Sequence, residues 1–229
     1  MRDGYQLFMQ RFNIDEDQLI QFGVDETIYI VDSIVKNEWL QLKRNIYSGE
    51  QKIFIRGYGR DAKGTELYMD LYQELFGHNN FFKDATNNAE PTKIIRRLTS
   101  YSRQEKPTIK YKRLRNYQVS HIFGKTKNPF TFTAPWNIVY VPKIMDPFTG
   151  HESKGALTEK FQRDFSTHFY NYYRDYIEEF NDIMSDLRPL LIRYLVENKV
   201  LITEKFKKDS IEQFSPITEW NREENLKIY

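Results

Sequence analysis

Between Tyr111 and Phe148 the residues that favour helices give way to aromatic and β-branched ones, punctuated by Pro129, Pro135, Pro142 and Pro147. Proline removes a backbone donor and is confined in sheets to edges and strand ends, so this stretch reads as two short strands joined by a long loop. Both flanks read as helical. Upstream, Asp15 can cap a turn carrying Leu19, Ile20 and Phe22, and Asp25 can cap a segment carrying Ile28, Val31 and Ile34. Ile53 to Ile55 is a strand candidate, and the glycine-rich run from Gly57 to Gly64 breaks it before a helix from about Thr65 to Phe76. That run lacks the Gly-Lys-Ser/Thr ending of a nucleotide-binding loop, so it reads as a turn able to touch a nucleic-acid backbone through Arg56 or Arg60. Pro91 suits the first turn of a helix reaching about Tyr101, followed by a basic connector from Ser102 to Lys110. Downstream, Leu157, Phe161, Phe165, Phe169, Tyr172, Tyr173, Tyr176, Ile177 and Phe180 form one apolar helical stripe, to be read as core or as a dimer contact. Pro189 marks the start or a kink of another helix through Val196.

With 40% apolar and 29% charged residues in 229, the chain can bury a substantial core. No apolar run approaches the roughly 18 residues of a membrane span, and the first residues carry no basic or apolar leader, so the expected location is the cytoplasm. The chain has no cysteine, which excludes disulfides, thiolate nucleophiles and cysteine-held zinc. Any metal must then be held by His, Asp, Glu, Asn or backbone oxygen, a donor set suited to magnesium or manganese.

The formal charge of +2 hides a strong asymmetry. From Lys93 to Lys127 there are eleven Lys and Arg against Glu105 alone, a net of +10, while 23 basic and 31 acidic residues occupy the remainder. A basic block in an otherwise acidic chain suits a polyanion, because each neutralised phosphate releases condensed counterions.

Two of the four histidines fall in or beside the strand-rich stretch. It runs Ser120-His121-Ile122, then Trp136-Asn137-Ile138-Val139, then Asp146 and Gly150-His151-Glu152. A histidine at a strand end, an asparagine sixteen residues later opening a second apolar strand, and a histidine leading into a helix form an ordered set. In this order the sequence resembles the HNH, or ββα-metal, nuclease superfamily, over about 35 residues. The resemblance implies that His121 is the general base, that Asn137 fixes the loop or touches the metal, and that His151 occupies the third position. Two departures stand out: Ser120 replaces the aspartate of many members, and His151 lies fourteen residues after Asn137. Asp146, nine residues after Asn137, is therefore an alternative metal ligand.

The chemistry is coherent without the family name. Phosphodiester hydrolysis needs a base for water, a cation for charge developing on the phosphate, and support for the departing oxygen. A neutral imidazole can accept the proton near physiological pH. Lys125 and Lys127, beside His121, and Arg113 and Arg115, just upstream, are the expected phosphate contacts.

The sequence thus predicts an α+β, mostly helical chain with an embedded ββα-metal core at residues 111–165, a scaffold at 1–110 and a helical region at 166–229. The expected activity is endonucleolytic hydrolysis of double-stranded DNA with Mg2+ or Mn2+, by a homodimer of the type II restriction or phage-defence kind. The aromatic helix from Leu157 is the candidate dimer contact. Three alternatives stay open: a PD-(D/E)xK nuclease using Asp146, Glu152 and Lys154, a non-catalytic nucleic-acid-binding module, and an RNase toxin.

Overall fold

The Tyr111–Phe148 stretch folds as an antiparallel hairpin, and the rest of the chain is arranged around it. The computed structural model describes residues 2–59, 62, 64–104, 109–150 and 152–219. In chain order the elements begin with α1 (Gly4–Phe12), α2 (Glu16–Asp25), α3 (Asp32–Ser48), β1 (Ile53–Ile55) and α4 (Thr65–Phe76). Next come β2 (Phe81–Lys83), α5 (Ala89–Thr99), β3 (Tyr101–Ser102), β4 (Lys112–Arg113), β5 (Tyr117–His121) and α6 (Pro129–Phe132). The chain continues through β6 (Ile138–Pro142), α7 (Asp146–Thr149), α8 (Ala156–Tyr172), α9 (Arg174–Glu197) and α10 (Glu204–Gln213). The class is mixed α+β.

Strand β5 pairs with β6 from Tyr117 opposite Pro142 to His121 opposite Ile138. All five β6 residues are buried, and an apolar run closed by proline is what a covered strand with a blocked end requires. The two smaller sheets, β1 with β2 and β3 with β4, are parallel pairs. Buried residues from Met9 to Ile217 pack as one hydrophobic cluster that includes Trp39, Trp136, Tyr140 and Phe180.

Local sequence explains several element ends. Asp15 accepts from Gln18 N at 2.7 Å, and the Gln18 side chain returns to Asp15 N at 3.1 Å, a reciprocal cap on α2. The predicted segment after Asp25 is different. Asp25 ends α2, and Ile28 exchanges two backbone hydrogen bonds with Tyr140, both 2.9 Å. The spacing of Ile28, Val31 and Ile34 suited one helix, but the open edge of β6 offers the Ile28 backbone better partners, and the helix begins only at Asp32, with Val31 as its N-cap.

The C-terminal half also departs from expectation. The aromatic stripe is split between two helices by a break at Tyr173, and Pro189 lies inside α9 without ending it. Leu157, Phe161, Phe165, Phe169, Tyr173, Ile177 and Phe180 are buried within this chain, so the stripe serves the core and is not a surface available for a dimer contact. Among the described residues no helix is long and apolar enough to cross a membrane.

Helix α10 is held chiefly by polar anchors. Asp209 accepts from the Tyr68 hydroxyl and from Lys127 Nζ, both at 2.5 Å, and Gln213 accepts from Lys127 N at 2.9 Å. Removing a shared acceptor leaves a buried hydroxyl and an ammonium without their partner. Asp209→Ala should therefore lower stability by about 2–3 kcal/mol, read as a fall of several degrees in Tm by circular dichroism. An unchanged Tm would show that α10 docks without this anchor.

Candidate functional site

The loop between β5 and β6 is organised by one buried amide. Asn137 is fully buried; its Oδ1 accepts from Phe123 N at 2.9 Å, and its Nδ2 donates to Thr131 O at 3.0 Å and Gly124 O at 3.2 Å. Its backbone carbonyl also accepts from Ile122 N at 2.9 Å. One side chain thus fixes both ends of the 122–137 loop. This is the loop-fixing role of the two offered for Asn137; its enclosed amide oxygen faces the Phe123 N–H.

His121 ends β5, part-buried, with its ring stacked on Phe132 at 5.7 Å between centroids. Its Nε2 lies 2.9 Å from the Phe132 carbonyl. A carbonyl oxygen only accepts, so Nε2 carries the proton and donates it. The neutral ring then holds its lone pair on Nδ1, which has no hydrogen-bond partner among the described residues. Burial is the main reason that the pKa falls from 6.5 to about 4; the Phe132 carbonyl opposes the fall, and the positive charge of Arg56 adds to it. Arg56, exposed at the end of β1, thereby stands within electrostatic reach of the imidazole. Arg60 lies outside the described residues.

Strand alternation sends the neighbouring side chains the other way. Ser120 donates to Thr149 Oγ1 at 3.0 Å in α7, and Gln118 Oε1 accepts from Arg103 at 2.8 Å. Asp146 opens α7. Its carboxyl is raised above the usual range, first by burial and then by the charge of Glu152, with Lys143 and Arg103 opposing. Two carboxylates that repel one another are a setting that a divalent cation would relieve, and magnesium commonly binds through one or two carboxylates with water and phosphate completing its shell. No group of three or more His, Asp or Glu converges on a metal position among the described residues. His151 lies outside them. The structure brings His121 together with Phe132, with the charge of Arg56 acting on the ring, and the charge of Glu152 acts on Asp146; Asp146 is not among the charges that act on the imidazole. What links the two clusters is Ser120, next to His121 in sequence and bonded to the α7 turn.

The lysines expected to hold phosphates do structural work. Lys125 Nζ, part-buried, donates to Glu212 O at 2.5 Å and to Ser215 Oγ at 2.7 Å, and burial pushes its pKa down to about 8, with Glu212 opposing. Lys127 Nζ pairs with Asp209 and lies 5.2 Å over the Tyr58 ring. The cause is simple: the C-terminal segment folds back onto this loop, and the Asp209 carboxylate, the Glu212 carbonyl and the Ser215 hydroxyl reach the ammonium groups first.

The unsatisfied positive charge lies at the opposite end of β5. Arg96, Arg103, Arg113, Arg115 and Lys143 line a cleft of about 550 Å3, walled by Leu114, Tyr117 and Tyr140. Arg113 and Arg115 were expected to be phosphate contacts just upstream of the His121 strand, and the structure sets them in this cleft at the far end of that strand. Arg96 and Arg103 lay in the same basic block without being singled out, and Lys143 and Tyr140 carried no signal, because only the hairpin register brings them in.

Replacing Asn137 by alanine should strand two backbone carbonyls and one N–H, lowering stability by about 3–5 kcal/mol, or roughly 10 °C in Tm; a loss under 1 kcal/mol in urea titration would refute its loop-fixing role. His121 generates a pH effect. The folded chain keeps it neutral down to about pH 4, whereas the unfolded chain protonates it below 6.5. Its contribution is thus complete above pH 6.5 and is lost as pH falls towards 4. Relative to His121→Gln, which retains a donor for Phe132 O, the wild-type protein should lose Tm across that window, and a constant difference would contradict the assignment.

Comparison with known proteins bears on the whole of this arrangement. The family described as "Uncharacterised protein PM1201" matches residues 30–219, a span that includes the hairpin, the cleft and the helices on both sides. A relative of that description from Pasteurella multocida (strain Pm70) is 41% identical over 204 residues, covering 89% of this chain and 89% of its own. No solved structure matches the chain. A match of this length and identity means that the chain belongs to the PM1201 family.

Proposed function

We propose that the protein is a metal-dependent endonuclease of the HNH, or ββα-metal, kind that hydrolyses DNA phosphodiester bonds, in the manner of a type II restriction or phage-defence enzyme. The observation that carries this reading is the state of His121: a neutral imidazole at the hairpin end, its tautomer set by the Phe132 carbonyl and its Nδ1 lone pair left to accept a proton. Water attacking a phosphate would yield its proton there. A pKa of about 4 describes the substrate-free ring. A bound phosphodiester brings negative charge beside the imidazole, which raises its pKa towards neutrality and strengthens the base as substrate arrives.

Arg56, whose charge acts on the imidazole, would meet the same phosphate, and Asn137 keeps the loop that presents Phe132 O to the ring. Asp146 and Glu152 would hold a magnesium or manganese ion. Such an ion, when bound, supplies positive charge for the phosphate oxygens and the departing alkoxide. Cutting both strands at one place is most direct with a two-fold dimer, whose contact would lie elsewhere than the buried stripe of α8.

The effect of the Glu152 charge on the part-buried Asp146 favours a second reading, in which those carboxylates and Lys154 form the reaction centre and His121 is structural. Supercoiled plasmid incubated with magnesium, manganese or EDTA separates the two. Wild-type protein should nick or linearise it only with a divalent ion, and His121→Ala should slow cutting by a factor of about 100 or more. Undiminished cutting by His121→Ala, with loss in Glu152→Gln, would transfer the role to the carboxylates. A salt-sensitive mobility shift without cutting under any metal would leave a binding module.

A further inference from the structure

The cleft at the Tyr117 end of β5 has a composition that the fold alone does not call for. Among the described residues, none of Arg96, Arg103, Arg113, Arg115 and Lys143 forms an ion pair, although Lys93, Arg97 and Lys127 from the same basic block each do. Like charges gathered without counterions repel, so their convergence raises the energy of the empty cleft. Arg103 is fixed at one edge by Gln118 Oε1 at 2.8 Å, and its Nε is buried without a partner among the described residues. Arg96 is propped with its guanidinium 5.5 Å over the Tyr111 ring, and its Nε is likewise unpartnered. The wall carries a further orphan. Tyr140 is 0% exposed as a residue, its hydroxyl has no partner, and the charges of Arg96 and Arg103 reach it. Three buried donors left unsatisfied in one place, each uncompensated group being unfavourable, indicate a ligand that accepts hydrogen bonds and carries negative charge. Two carboxylates stand near without lining the cleft: the charges of Arg103 and Lys143 act on Asp146 from α7, and Glu26 acts on the Tyr117 hydroxyl.

We propose that this cleft is a phosphate-binding subsite for a DNA strand, engaging one sugar-phosphate unit away from the bond that is cut. Its volume exceeds that of a lone phosphate, and its rim continues outward through exposed Arg113 and Arg115, which suits a strand passing through more than a small ion enclosed. The four residue steps from Tyr117 to His121 span about 13 Å at strand rise. A phosphate held here is therefore a different one from the phosphate at His121. The inference rests on the nucleic-acid reading given above, though not on catalysis.

The test is fluorescence anisotropy of a fluorescein-labelled 20-base-pair duplex in EDTA, over a series of salt concentrations. Arg113→Ala/Arg115→Ala should weaken binding at least tenfold and reduce the slope of log K against log salt by about 2. Tyr140→Phe should weaken binding several-fold while its Tm stays equal or rises, because the hydroxyl it loses has no partner in the free protein. Lys205→Ala/Lys208→Ala, a pair of exposed cations on α10, should change affinity less than twofold. Equal losses in that control pair, or none in the cleft variants, would overturn the subsite, as would micromolar calorimetric binding of deoxyadenosine monophosphate that leaves duplex binding unaffected. Cleft-dependent binding by a wild-type protein that never cuts plasmid would support the subsite and end the nuclease reading. Cutting that survives intact in Arg113→Ala/Arg115→Ala and Tyr140→Phe would do the reverse.

Discussion

The buried amide of Asn137 is the point on which the local architecture depends. A sixteen-residue excursion between two paired strands would ordinarily wander over the surface, since its backbone groups need water. Here one carboxamide and one backbone carbonyl take four of those backbone groups, at residues 122, 123, 124 and 131, and draw the loop against the hairpin. Once the loop is drawn in, α6 is placed beneath His121, and the Phe132 carbonyl meets Nε2. The tautomer of the imidazole is thus a consequence of packing four elements away from solvent. The same closure buries Trp136 against Trp39 and Phe180, which joins the hairpin to the helices on either side.

Burial also decides what the basic block does. Lys125, Lys127, Arg113 and Arg115 looked alike in sequence, as cations flanking a histidine strand. Tertiary structure divides them. The loop lysines meet Asp209, the Glu212 carbonyl and Ser215, all from the C-terminal segment, and lock α10 in place. The arginines lie at the other end of β5, where they form no ion pair among the described residues, and join Arg96 and Arg103 around the cleft. The physical distinction is the presence of an acceptor within reach, which is a matter of distant chain folding and has no signature in local composition.

What was legible in the sequence followed the same boundary. Elements set by local rules were visible: the cap at Asp15, the Ile53–Ile55 strand, the helix from Thr65 to Phe76, and the two strands around a long loop. Elements set by partners were not. The segment after Asp25 carried helical spacing yet pairs with Tyr140, and α9 runs through Pro189 because helix packing on the core outweighs one missing hydrogen bond. The aromatic stripe was correctly seen as apolar, but spacing cannot say whether an apolar face meets its own core or another chain. His121 and Asn137 were recognisable because residue type and order carry them. Arg103, Lys143 and Tyr140 needed the strand register, which places residues 103, 118, 140 and 143 around one opening from three parts of the chain.

On the proposed nuclease reading, the arrangement separates two demands that a phosphate-cleaving protein must meet. Binding a polyanion calls for fixed positive charge, whereas accepting a proton calls for a base that such charge weakens; the influence of Arg56 on His121 is an instance. Setting the arginine cleft at one end of β5 and the imidazole at the other keeps the stronger field about 13 Å away by strand rise, beyond a Debye length of roughly 8–10 Å at ordinary salt. Asp146 and Glu152 stand at the α7 turn between them, beside Lys143 and Arg103 on one side and linked through Thr149 and Ser120 to the histidine on the other. The charges therefore fall on different elements: the arginine cleft at the Tyr117 end of β5, the carboxylates at and after α7 on the side that Ser120 meets, and the neutral imidazole at the other strand end.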